Sequence, residues 1–269
     1  MNALERTMVE TLKELKAGHS VIGVKAEFEA EGTRMEEALR LKDVVSSAGL
    51  GLTIKIGGCE ALKDMYDSRS IGVRRIVAPM IESSYALKKF ILSTKAAFPE
   101  DECSEIEFAI NVETNNTCER LDEILASPSA RALHSVIVGR VDLSGSCGLD
   151  RDSINSKQIF DMTKTIAEKS KKAGLCVGVG GGVSADSREF FRGLYGLLDF
   201  YETRKVIFDA PKALAGDFGA GILKAVGFEL MWLKNKTRYY GSIHHEDDER
   251  IRMLELRYSK MIEAVGGKH

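Results

Sequence analysis

The chain has 269 residues, 44% of them hydrophobic and 29% charged, which suits one large α/β domain or two small ones. A formal net charge of −2 offers no basic face, so no nucleic-acid partner is expected. The longest apolar stretches are strand-sized and broken by charge, so no membrane-spanning helix is expected.

Residues 1–17 read as a charged amphipathic helix without the apolar centre of a signal peptide. Beyond it, short β-type runs alternate with helical ones. Strands are expected over 21–29, 52–57, 75–81, 106–113, 135–144, 175–181 and 198–208. Helical patterns lie between them, over 35–48, 60–68, 85–97, 117–125, 156–173 and 186–194. Strand then helix, repeated, argues for parallel strands with crossover helices. Runs such as Ser-Val-Ile-Val-Gly at 135–139 are nearly continuous apolar, as strands covered on both faces are.

Seven strands are one short of a closed eight-stranded barrel. The eighth is expected near the N-terminus or at the C-terminal end of the pattern. An open doubly wound sheet competes, but Phe28-Glu29-Ala30-Glu31-Gly32-Thr33 is not the Gly-rich ligand loop of that fold. The run Gly178-Val179-Gly180-Gly181-Gly182 comes late. It reads either as a strand end approached closely by substrate or a neighbouring strand, or as a plain tight turn. From Pro211 the pattern is helical, with a turn at 238–242 and a charged terminal helix over 246–265. That helix caps the barrel or swaps onto a neighbouring subunit. The expected fold is α/β: a single-domain (β/α)8 TIM barrel, core about 20–210, with a helical extension over about 211–269.

Alternate residues of a strand share a face. Lys25, Glu27 and Glu29 therefore point one way at the end of the first strand. Asn111 and Glu113 do so on the fourth, Arg140 and Asp142 on the fifth, and Glu202 and Arg204 on the last. Barrel layers are normally filled by branched apolar residues, and buried charge is costly unless paired or metal-bound. Four converging polar pairs favour a site over a purely structural network. Glu113 and Asp142 are hard oxygen ligands at consecutive strand ends, suited to Mg²⁺ or Mn²⁺. Lys55 ends the second strand with a positive charge for a substrate oxygen. Arg140, beside Asp142, is a candidate substrate-binding residue, and the backbone N–H groups of Ser144, Gly145 and Ser146 are candidate partners for a substrate carboxylate.

Other polar residues read more plainly. Glu82 suits a helix start and Ser83 or Ser84 its N-cap, while Asn115 and Asn116 suit a turn or cap. Glu31 and Arg34 suit a surface pair, and His244-His245 a solvated helix start. His19 and His134 fall at the far ends of their strands. The cysteines, Cys59, Cys103, Cys118, Cys147 and Cys176, are odd in number and form no CxxC, as free thiols in a reducing cytoplasm would be.

Three motifs in order, Pro79-Met80-Ile81-Glu82, Val112-Glu113-Thr114 and Gly139-Arg140-Val141-Asp142-Leu143-Ser144-Gly145-Ser146-Cys147-Gly148, resemble those of the HpcH/HpaI aldolase and citrate lyase β-subunit superfamily. The resemblance covers about residues 20–185. It implies a (β/α)8 barrel that makes or breaks C–C bonds beside a metal-bound enolate. It makes Glu113 and Asp142 the metal carboxylates. It puts Lys55 where the family has a substrate-contacting arginine, and Glu29 at an acidic position on the strand that carries a histidine base in the aldolases. The chain departs from the pattern at Ala30, where that histidine would stand, and at the short segment between Phe98 and Glu107.

The expected function is therefore that of a divalent-metal-dependent carbon–carbon lyase of the aldolase class. The expected substrate is a 2-oxo acid such as pyruvate, and Glu29, Glu27 or Lys25 must replace the missing base. The alternatives are a Schiff-base aldolase using Lys25 or Lys55, a CoA-ester lyase, and a ligand-binding barrel without catalysis. A cytoplasmic homo-oligomer is expected by analogy with the family.

Overall fold

The structure, a computed structural model, describes residues 1–264. At its centre is a closed barrel whose strands pair in sequence order. These are β1 (Val21–Glu27), β2 (Gly51–Lys55), β3 (Arg75–Ala78), β4 (Glu107–Val112), β5 (Ser135–Gly139), β6 (Cys176–Gly180), β7 (Phe200–Glu202) and β8 (Val206–Asp209). Crossover helices such as Met35–Ser47, Ser84–Ala97, Asn115–Ala126 and Lys157–Lys172 lie between the parallel strands. The starts of the last three are fixed by side-chain caps: Ser83 accepts from the Ala86 N–H, Thr114 from Thr117 and Ser156 from Ile159.

The α/β barrel expected from the sequence is present, with one change of topology. The eighth strand lies at the C-terminal end of the pattern, one of the two places expected. The run at 198–208 is two strands folded back at Thr203–Lys205, and β8 is antiparallel to both β7 and β1. Three connecting residues cannot hold a crossover helix, so the pair must be a hairpin. Thr203 makes the turn: its N–H donates to the Val206 carbonyl (2.9 Å), and its Oγ1 accepts from the Val206 N–H (3.0 Å). No Gly, Pro or Asn marks this turn in the sequence, which is why it was hidden.

The barrel interior is filled by Val77, Ala109, Ile137, Phe200 and Ile207, all buried. Near the N-terminal strand ends, Arg75 lies over the Phe200 ring (4.6 Å) and pairs with Glu107 (2.5 Å). The glycines of β6 are explained by a neighbouring strand. A Cβ on Gly178 would meet the Phe200 ring at 2.2 Å, and one on Gly180 would meet the Glu202 side chain at 3.0 Å. Small residues on β6 thus make room for large ones on β7.

The chain divides into two compact units, Met1–Glu229 and a second beginning at Leu230. The last helix, Phe218–Ala264, is continuous. The turn expected at 238–242 is therefore absent. A lone Gly241 costs a helix only about 1 kcal/mol, too little to end it among good helix formers. Val265, the expected last residue of the terminal helix, lies outside the described residues. No helix among the described residues is long and apolar enough to cross a membrane.

Gly178→Ala would force a methyl group into the Phe200 ring. It is expected to lower unfolding stability by about 1–3 kcal/mol, the usual cost of overpacking, as measured by urea denaturation.

Candidate active site

Four carboxylates and two ammonium groups meet where the parallel strands end. Lys25 and Glu27 project from β1, Glu29 follows it, and Lys55 ends β2. Glu113 follows β4, and Glu202 ends β7. The alternation read from the sequence thus brings these six together. Lys25 Nζ lies 2.7 Å from Glu202 and 3.0 Å from Glu27. Lys55 Nζ lies 2.8 Å from Glu29 and 3.6 Å from Glu113. Of the six, Glu29 is the most open, with 27% of its side chain exposed, so it can meet a substrate.

Burial alone would lower both lysine pKa values. Glu202 and Glu27 outweigh it at Lys25, and Glu113 and Glu29 outweigh it at Lys55, so both are raised. Both are held as ammonium ions, the opposite of what a Schiff-base amine requires. Lys205, in the β7–β8 turn, differs: burial leaves its pKa lowered despite the ion pair with Glu31. At Glu27, burial is outweighed by Lys25, Lys55 and Arg204, and its pKa is lowered. At Glu113, burial dominates and raises the pKa although Lys55, Asn111 and Met80 oppose it.

The Glu113 carboxylate is held from three sides. It accepts from Asn111 Nδ2 (2.8 Å) and from the Met80 N–H (3.1 Å), with Lys55 beyond. Met80 adopts φ +50°, a left-handed conformation that is uncommon for a residue with a side chain. A Cβ on Gly139 would fall 2.7 Å from Glu113 Oε2, so the strand-end glycine leaves the space that the carboxylate fills. The contributions of Met80 and Gly139 were not read from the sequence. The backbone angle had no signal there, and the strand-end glycine was noted only as part of a motif.

The structure corrects the reading of residues 140–146. β5 ends at Gly139, and Arg140–Ser146 is a short helix, not strand. Asp142 therefore lies exposed in the first helical turn, near enough to Glu113 to raise its pKa further. Ser144, Gly145 and Ser146 lie inside this helix, where their N–H groups are committed to carbonyls four residues back. They offer no anion nest. The Ser144 side chain is buried, and Ser146 Oγ bonds to Leu143 and Asn115.

Arg140 is not a substrate ligand. It is fully buried and donates to Gly180 O (3.2 Å), Gly181 O (2.9 Å), Asn155 Oδ1 (2.6 Å) and Ser187 Oγ (3.2 Å). It also lies 4.8 Å from the Phe190 ring centroid, and burial lowers its pKa to about 10. It braces the helix that carries Asp142 against the end of β6. Arg204 points outward and pairs with Glu31 (3.1 Å), so Glu31 ties the β1 loop to the hairpin, while Arg34 lies 3.8 Å from Glu37.

Glu113 and Asp142 fit a hard divalent cation. Both offer oxygen, and their mutual repulsion is what such an ion would relieve. The four clustered carboxylates outnumber the two ammonium groups, so the site carries negative charge to spare. Among the described residues no three His, Cys, Asp or Glu side chains gather as a complete metal cage, so water or substrate oxygens would complete the shell.

The barrel superposes on that of an HpcH/HpaI aldolase/citrate lyase family protein from Burkholderia cenocepacia J2315. The TM-score is 0.59 at 14% identity, over 88% of this chain and 90% of that one. The two chains share a closed α/β barrel fold. The HpcH/HpaI aldolase from Desulfitobacterium hafniense DCB-2 gives 0.56 at 16% identity, over 71% of this chain and 89% of that one. Citrate synthase SbnG gives 0.57 at 14% identity, over 84% of this chain and 98% of that one. No family model matches the sequence, and no curated protein matches it. At these identities the likeness establishes the fold, and function must be argued from the site.

Glu202→Ala would leave the buried Lys25 ammonium with Glu27 alone. Removing one partner of a buried pair costs about 3–5 kcal/mol. A loss of that size in chemical denaturation is expected, whereas Arg204→Ala at the surface should change stability by less than about 1 kcal/mol.

Proposed function

We propose that the chain is a divalent-metal-dependent carbon–carbon lyase of the aldolase class, acting on a 2-oxo acid at the C-terminal rim of the barrel. The observation that carries this reading is Glu113, buried, raised in pKa and backed by Lys55, with the exposed Asp142 beside it. The shared aldolase fold supports it, because barrels of this kind place their chemistry at that rim.

Glu113 and Asp142 would hold the cation. When bound, it would polarise the carbonyl of the 2-oxo acid and stabilise negative charge developing on that oxygen. Lys55 keeps its proton and sets a fixed positive charge beside Glu113, where a substrate oxygen would lie. Glu29, half-open and hydrogen-bonded to Lys55, is the carboxylate placed to take the proton of the partner's hydroxyl. It would fill the role that Ala30 cannot. Lys25, Glu27 and Glu202 lie deeper and hold the barrel wall in place. Arg140 acts as a positioning residue through the Asp142 helix. Five free cysteines are compatible with work in a reducing cytoplasm.

The test is exchange of the pyruvate methyl protons with deuterium, followed by NMR with added Mg²⁺. Exchange should appear, and Glu113→Gln or Asp142→Asn should each reduce it at least about 100-fold, the scale on which loss of electrostatic stabilisation acts. Lys55→Met should slow exchange but leave Mn²⁺ binding in place. Persistent exchange in Glu113→Gln would overturn the reading. So would trapping of a lysine adduct by borohydride.

The pH dependence has a definite sign. A proton on Glu113 competes with the cation, and its pKa is raised. Mn²⁺ affinity should therefore weaken as pH falls, beginning above the usual carboxylate range. Isothermal titration across pH checks this, with Glu113→Gln expected to flatten the profile.

A further inference from the structure

The last helix carries an apolar stripe that the barrel chemistry does not use. From Leu230, positions spaced 3, 4, 3, 4 along the helix are Leu230, Leu233, Thr237, Tyr240, His244, Asp247, Ile251, Leu254, Tyr258 and Met261, apolar at both ends and polar at Thr237, His244 and Asp247. Leu230, Leu233, Ile251 and Leu254 are 50–53% exposed, and Tyr258 and Met261 more so. A sustained 3.5-residue repeat fits a partner that is itself a helix wound as a left-handed coiled coil, since a straight helix drifts off that seam.

The stripe is also symmetric about residue 242. Its two ends are apolar and its middle is polar. Two copies laid antiparallel place Leu230 opposite Leu254 and Leu233 opposite Ile251. The same register sets Thr237 opposite Asp247 and Tyr240 opposite His244, so polar meets polar throughout. Beside the seam, Lys234 comes level with Asp248 and Glu229 with Arg257, against a single like-charged pair, Lys236 with Arg250. In-register parallel pairing would instead stack Asp247 on Asp247 and His244 on His244, like groups buried face to face.

We infer that the helix beyond Leu230 pairs antiparallel with the same helix of a second copy of this chain, about an axis through residue 242. The inference rests on the spacing, exposure and symmetry of this helix and is independent of the lyase reading.

The first measurement is the mass of the full chain by light scattering after size exclusion. The wild type should run at an even multiple of the 29.6 kDa chain. Leu233→Asp combined with Leu254→Asp should halve that mass with unchanged far-ultraviolet circular dichroism, because both side chains are surface groups. The orientation is read separately by mixing Leu233→Cys with Ile251→Cys chains under oxidation and mapping disulfides by mass spectrometry. The mixture should form a 233–251 link that neither variant forms alone. A monomeric wild type would mean that another occupant covers the stripe. That result would overturn the inference, as would an unchanged mass in the double variant or 233–233 links in Leu233→Cys alone.

Discussion

Lys25 is the group on which this barrel turns. Its ammonium is buried between Glu27 on its own strand and Glu202 on β7, two strands away around the wall. β7 has three residues and β8 four, so the wall is thinnest where the barrel closes. A charged tie across that closure pins the hairpin in place. It also lowers the pKa of Glu27, and so bears on the electrostatics of the rim.

The hairpin explains why the eighth strand could not be counted in advance. Repetition of strand and helix exposes parallel strands because each must be followed by a crossover. A final strand returning through Thr203–Lys205 leaves no such interval. Period-two patterning was enough for Lys25, Glu27, Lys55, Glu113 and Glu202, which do share the interior end of the barrel. It failed at Arg140 because the strand stops at Gly139 and the period changes from two to 3.6 within one motif. Arg140 then turned into a brace and Ser144–Ser146 into ordinary helix. Met80 was illegible for another reason: a left-handed φ outside glycine is imposed by tertiary contacts, here the hydrogen bond to Glu113.

The choice of a lysine at position 55 has a structural consequence. A guanidinium at this place would span its partners with a planar fork, while an ammonium is a compact point charge that reaches Glu29 and Glu113 without a fixed orientation. The pairing with Glu29 is the consequence that bears on chemistry. A substrate oxygen that engages Lys55 would compete with Glu29 for the ammonium and leave that carboxylate free to contact the substrate.

Charge balance separates the competing chemistries. A lysine nucleophile needs surroundings that push its ammonium to give up a proton, and at this rim carboxylates outnumber lysines. Lys25 and Lys55 are stabilised as cations by that excess, and Lys205, the one lysine here whose pKa falls, is engaged by Glu31. The same excess is what a bound divalent cation would neutralise. Glu113, whose pKa burial raises, stands 3.6 Å from Lys55 and within electrostatic reach of Asp142. An anionic 2-oxo acid would be repelled by the rim as it stands and attracted once a cation is added, so the electrostatics favour metal before substrate.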